Sequence, residues 1–204
     1  KKTIPWLLYW KWRQFEMNTD CIINVELKTI SNFEWNFFIA LKDSPLQNLM
    51  RFETFFVDKF GSYIDCKTKD GAVYGQSSNQ KVIEMIQTFR ENSEHCIDVN
   101  HVVSLLNLSD DAFEYLILWR HLNYDEVLDF SPEIVIESNQ SLGWKVKIAL
   151  VKTCLVNKHM SPISRKGSDL DWIKCEIKDK MFYAEAGPLN LLEVLGVFSE
   201  FSKS

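Results

Sequence analysis

What the chain lacks limits it before any motif is read. No apolar run approaches the ~20 residues of a spanning helix: the longest candidate, Ile4–Trp10 in the opening KKTIPWLLYWKWRQFEMN, is cut by Lys11 and Arg13. No small-residue cleavage site follows it, so it does not read as an export signal. The five cysteines (Cys21, Cys66, Cys96, Cys154, Cys175) are odd in number and hold no C-x-x-C pair, which disfavours a disulfide framework or a zinc site and favours a reducing cytoplasm. Four of the five fall in expected strands, where a thiol behaves as a small buried hydrophobe. Glycine and proline are scarce, at seven and five of 204 residues, and this speaks against low complexity and disorder. Absent too are the phosphate-cradling glycine loops, the H-E-x-x-H helix and the G-x-S-x-G elbow. His95, His101, His121 and His159 have no ligand-like spacing. No metal, cofactor or membrane is expected, and no catalytic residue is assigned.

What is present is a hydrophobic, aromatic-rich chain, with 46% apolar residues and 14 phenylalanines, enough to fill one core or two small lobes sharing it (1–95 and 96–204). In the opening stretch Ile4, Trp6, Leu8, Trp10 and Trp12 alternate against Lys11 and Arg13, and the apolar positions spread around a helical wheel. The expectation is a strand with its tryptophans in the core, paired through a turn at Asn18–Asp20 with a second strand carrying Cys21, Ile23, Val25 and Leu27. The alternation also favours these residues being genuine protein rather than a leader ahead of a start at Met17. If that face were exposed, it would itself become the leading partner site.

Further on, SNFE at Ser31–Glu34 reads as either a helix start or a strand. Ser44-Pro45 predicts a helix carrying Leu46, Leu49, Met50, Phe56 and Phe60, stopped by Gly61. Asp70-Gly71 predicts a hairpin; Val82, Ile83, Met85, Ile86 and Phe89 predict a helix. Two more helical pieces are expected behind Asp98 and Ser109. From Tyr124 the pattern turns to strands, with an interruption at Pro132 and an alternating run of Trp144, Val146, Ile148 and Leu150. Residues 157–171 read as a long loop, followed by a hairpin turning near Asp179 and a closing helix with Leu191, Leu192, Leu195 and Phe198 inward. The fold class is α+β, with antiparallel hairpins packed by helices and a C-terminal helix.

The net charge of −5 disfavours nucleic acid as partner, and its distribution is uneven. Between Ser109 and Glu137 lie Asp110, Asp111, Glu114, Asp125, Glu126, Asp129, Glu133 and Glu137 against Arg120 alone, so the segment is −7 and the rest +2. Scattered acids usually mean a solvated surface; the alternative is an electrostatic contact for a basic protein. On that alternative the partner-binding residues are Asp110, Asp111, Asp125, Glu126 and Asp129, with Trp119 and Tyr124 as aromatic anchors, Trp119 being equally well placed for the core.

Three acid-x-Lys triplets, Glu26–Lys28, Asp65–Lys67 and Glu176–Lys178, put carboxylate and ammonium on one face of a strand, as metal-dependent nucleases do with an upstream aspartate such as Asp171 or Asp20. About 2.5 are expected by chance at this composition, so three is no excess. A nuclease built on Glu176 and Lys178 is thus the runner-up. An adaptor that docks through residues 157–171 and orders on binding is the third reading.

The closing MFYAEAGPLNLLEVLGVF, a strand running directly into an apolar terminal helix, resembles the ends of immunity proteins of bacterial polymorphic and contact-dependent toxin systems. The resemblance covers about the last 35 residues in pattern. It implies a cytoplasmic, non-enzymatic α+β protein that binds and blocks one cognate toxin, and it carries over no functional residue.

Overall fold

In the computed structural model residues 2–17, 23–30, 33–41, 44, 46–48, 51–93, 108–139 and 142–204 are described. The chain opens not with a strand but with helix α1, Thr3–Met17. Ile4, Trp6, Leu7, Leu8 and Trp10 are all buried, and of residues 3–16 only Arg13 and Glu16 are exposed, paired with each other at 2.6 Å. An apolar segment buried nearly all round satisfies period two and period 3.6 alike, which is why alternation misled; a helix without a polar face is one enclosed by the core. Trp6 and Trp10, one turn apart, stack with centroids 6.1 Å apart, and Phe89 meets both edge-on. The core assignment stands for Trp6 and Trp10, on a different element, whereas Trp12 is only half-buried, edge-on to Tyr9.

Among the described residues ten strands follow: β1 Val25–Ile30, β2 Glu34–Ala40, β3 Glu53–Val57, β4 Tyr63–Lys69, β5 Ala72–Ser78, β6 Ile134–Ser138, β7 Trp144–Ala149, β8 Ile163–Lys166, β9 Trp172–Lys178 and β10 Met181–Ala186. Among the described residues the other α-helices are α2 Val82–Ser93, α3 Asp111–Leu122 and α4 Leu191–Lys203. All pairings are antiparallel, in the order β3-β4-β5-β2-β1-β6-β7-β10-β9-β8. The arrangement is α+β.

The expected hairpin at Asp70-Gly71 is present; both residues have positive φ, 49° and 75°, as a two-residue turn between twisted strands demands. The β9–β10 turn at Asp179-Lys180 does the same. Of SNFE, Phe33 lies in the turn before β2 and Glu34 begins that strand, while Ser31 and Asn32 lie outside the described residues. The helix expected from Ser44 is corrected: its outer members lie in β3 and the following turn, and Phe56 and Phe60 are exposed. Leu49 and Met50, Cys21 and Cys96, and nearly all of the helix expected behind Asp98 lie outside the described residues. Residues 157–171 are not a continuous loop, since β8 pairs with β9 and Arg165 binds Asp171 and Glu193.

Cys66 and Cys175 are buried on strands, where burial pushes both thiols up to about 12. Cys154, expected on a strand, is exposed in the turns after β7.

Two five-strand halves meet where β1 pairs with β6, over only three residue pairs, Glu26–Glu137, Leu27–Ile136 and Lys28–Val135. Side chains extend this seam at each end: Ser138 Oγ accepts from Val25 N at 2.8 Å and Thr29 Oγ1 from Ile134 N at 2.8 Å.

Except in the edge strands β3 and β8, alternate residues of the strands face the helices and form the core. Over β6, β7, β10 and β9 the opposite face of the sheet carries a ladder of charges, with Glu137–Lys145, Lys145–Glu185 and Glu185–Lys174 directly cross-strand. The acid-x-Lys triplets belong to this face, and Glu26–Lys28 and Asp65–Lys67 close as ion pairs at 2.8 and 3.2 Å. Among the described residues no group of three or more potential metal ligands comes together, and no helix is long and apolar enough to cross a membrane.

Candidate partner-binding surface

The acidic segment builds α3, the turn after it and β6. In α3 the apolar stripe Phe113, Leu116 and Trp119, with Arg120, is buried against the sheet and α4. The opposite stripe, at spacings of three and four, carries Asp111, Glu114, Leu118 and Leu122. Leu118 and Leu122 are 51% and 72% exposed, so this outward face mixes acid with bare leucine.

Beyond α3 the chain closes a tight turn. Asp125 and Phe130 exchange backbone hydrogen bonds of 2.8 and 3.1 Å. Asp125 Oδ1 accepts from Val127 N at 2.9 Å and Leu128 N at 3.1 Å, fixing the turn from inside. That leaves Glu126, Val127, Leu128 and Asp129 at the tip; Val127 is 92% exposed. The Tyr124 hydroxyl donates to Asp129 Oδ1 at 3.2 Å, which holds its pKa above the usual tyrosine value, and its ring stacks on Phe33 at 4.9 Å. Phe33 sits at the β1–β2 turn, in the left-handed region at φ 62°.

Beside this turn lies a groove of about 440 Å³ walled by Phe33, Tyr124 and Phe130, with Asp129 and Glu133 at its rim. Cations of the chain itself already lie over two of these rings, the Lys152 ammonium 4.7 Å from the Phe130 centroid and the Arg120 guanidinium 5.0 Å from that of Phe33, as the negative face of an aromatic ring favours. Arg120, the single base of the segment, does not neutralise this surface by contact. It is wholly buried, donating to Asn79 Oδ1 at 3.1 Å, Ile30 O at 3.2 Å and Ser131 Oγ at 2.9 Å, with Phe33 and Trp35 beside its guanidinium. Burial lowers its pKa to about 10, leaving it charged at neutral pH.

The seven residues singled out from the sequence therefore separate. Asp111, Glu126 and Asp129 are exposed; Tyr124 and Asp125 shape the turn. Asp110 and Trp119 are interior, 1% and 5% exposed, and neither lies on an accessible face. Trp119 meets Phe198 of α4 edge-on at 4.8 Å. Asp110 accepts from Thr3 N at 2.9 Å and Ile4 N at 2.7 Å, capping α1 from across the molecule. Sequence reasoning missed Leu118, Leu122, Val127 and Leu128, although Leu118 and Leu122 announce a second apolar stripe opposite the core stripe of α3. It also missed the groove, whose walls come from distant segments. The nuclease candidate Glu176 lies exposed on the open sheet face opposite Tyr183, while Asp171 is held by Arg165 and Asn190.

No curated protein and no solved structure matches the chain. Residues 113–203, just under half of it, match the family model of Immunity protein 53, a span that starts in α3, holds the whole turn at 124–130 and ends in α4, and that bears out the resemblance of the closing segment to toxin-system immunity proteins.

Proposed function

We propose that the chain is a non-enzymatic immunity protein that acts in the cytoplasm by occluding a basic toxin domain, with the acidic and apolar surface of α3 and the 124–130 turn as its contact. The observation that carries this reading is the turn tip itself. Val127 and Leu128 stand exposed between the carboxylates of Glu126 and Asp129, on a backbone locked by Asp125, beside an aromatic groove that Asp129 and Glu133 also line. Exposed apolar groups on a preorganised loop contribute affinity, while the surrounding charges steer encounter. The family match supports the assignment because it spans this surface.

Capture tests it. Immobilised protein retains a partner from a lysate of its source cells, the partner is identified by mass spectrometry and shown to be toxic when expressed alone, and its binding is then titrated. Glu126→Lys with Asp129→Lys is expected to slow association by about tenfold or more at low salt, with the effect shrinking as salt rises. Tyr124→Ala, which removes a groove wall, is expected to speed dissociation. Unchanged kinetics in both variants refutes this contact surface.

A further inference from the structure

The two outer strands of the sheet are defended differently. At one edge β8 is four residues long and carries Arg165 and Lys166, the kind of charge that discourages strand addition. At the other edge, among the described strands, β3 (ETFFV) has no proline, no lysine and no break in its register with β4. Phe55, Phe56 and Val57 are 71%, 48% and 48% exposed, and Phe60 in the turn behind them is 81% exposed.

The hydrogen-bond parity of this edge is fixed. Thr68 N donates to Phe52 O and Asp58 N to Ser62 O, so the even-numbered residues of β3 bond to β4. The N–H and C=O groups of Glu53, Phe55 and Val57 consequently point away from the sheet. Phe56 pairs with Ile64, which faces the helices, while Phe55 and Val57 lie on the open face with Asp65 and Tyr63.

We infer that β3 is a self-association edge, at which a second copy of this chain pairs antiparallel about a two-fold axis through Phe56. This register joins the outward backbone groups of Phe55 in one copy to those of Val57 in the other, and the reverse. It sets Phe56 against Phe56 across the axis, and Phe55 against Val57 on the open face. It also brings Glu53 of each copy to the turn carrying Lys59 of its mate, so the strand is complementary to itself in charge as well as in shape.

The area sets the strength. With roughly 200 Å² per phenylalanine, the exposed fractions of Phe55, Phe56 and Phe60 leave about 400 Å² on one copy and about 800 Å² on a pair. That is short of the ~1,200 Å² of a stable interface, so the dimer is weak and concentration-dependent.

Sedimentation equilibrium of the full chain from about 1 µM to 1 mM tests this, with dissociation expected at roughly tens to hundreds of micromolar. Phe56→Lys, which opposes two ammonium groups on the axis, is expected to remain a single chain throughout. Glu53→Lys is expected to weaken pairing, and Glu53→Lys with Lys59→Glu to restore it. Amide exchange reads the same contact without any substitution. At those dissociation constants roughly a tenth to a third of the chains stay single at 1 mM, so the Phe55 and Val57 amides should slow about three- to tenfold between dilute and concentrated protein, while those of Thr54 and Phe56, already bonded to β4, stay unchanged. A single-chain mass up to 1 mM, a Phe56→Lys variant that folds and pairs like the parent, or Phe55 and Val57 amides indifferent to concentration overturns the proposal. A strand from another protein seated on β3 without self-pairing gives the first of these results.

Discussion

Removing the Asp110 carboxylate gives the sharpest test of how α1 is held. A helix begins with N–H groups that have no partner inside it. In α1 the first reach-back is from Trp6 N to Lys2 O at 3.2 Å, and position 5 is a proline with no N–H. The amides of Thr3 and Ile4 remain, and both are taken by the two oxygens of Asp110. Asp110→Ala strands both donors in the interior, where each unsatisfied group costs about 1–3 kcal/mol, and it withdraws a negative charge from the positive end of the helix. A total of about 2–6 kcal/mol follows, which in a chain of this size lowers Tm by roughly 5–20 °C. Asp110→Asn keeps one acceptor and should lose about half as much. Urea unfolding followed by tryptophan fluorescence measures it, since Trp6 and Trp10 sit on α1. A stability within 0.5 kcal/mol of the parent (~the scatter of a surface substitution) refutes the capping argument. The same variant should leave the partner's association rate unchanged wherever the protein remains folded.

Two further predictions concern the interior. Lys11 is 4% exposed, donates to Leu142 O at 2.9 Å and lies over Trp144; burial lowers its pKa to about 8. Between pH 8 and about 10 the unfolded chain then holds a proton there that the folded chain has lost, so stability rises with pH in this window. Measured as the difference from Lys11→Met, which cancels the cysteine and tyrosine titrations, wild type should gain about 1.4 kcal/mol per pH unit, about 3 kcal/mol in all. A difference that is flat from pH 7 to 10 removes this account. Among the glycines, Gly196 in α4 has nothing within 4 Å of an added Cβ, whereas a Cβ at Gly143 would press on the backbone oxygen of Ala186. Thermal melts should show Gly196→Ala stabilised by about 0.5–1 kcal/mol and Gly143→Ala destabilised by ~1–3 kcal/mol or more; the opposite order contradicts the packing.

Elements with one wet and one dry face were legible. β7 alternates Trp144, Val146 and Ile148 against Lys145 and Lys147, and its burial follows residue by residue. α2 and α4 carry their apolar stripes where the spacing put them. The misread elements are those with equal faces: α1 is enclosed on nearly every side, and β3 is exposed on both, so neither has a period to report. For the candidate surface, Asp111, Glu126 and Asp129 could be found as acids in an acid-rich stretch. The role of Asp110 could not, because the two amides it serves lie 107 and 106 residues away. The groove was equally hidden, since Phe33 reaches Tyr124 only through the folding of β1 and β2 beside β6.

The narrow junction between β1 and β6 also bears on how such a chain can be inherited. Residues 25–78 build every strand on one side of it and residues 134–186 every strand on the other. An exchange of gene segments anywhere between them would leave all strand ladders intact except that of Glu26–Lys28 with Val135–Glu137. The remaining cross-ties include the hold of Asp110 on α1 and of Lys11 on Leu142, each a matter of one side chain against backbone. A new half therefore has little strand register to match at the joint, and the demanding conditions lie in the shared core, where Arg120 must meet Ile30 and Asn79, and Phe113 must meet Trp35.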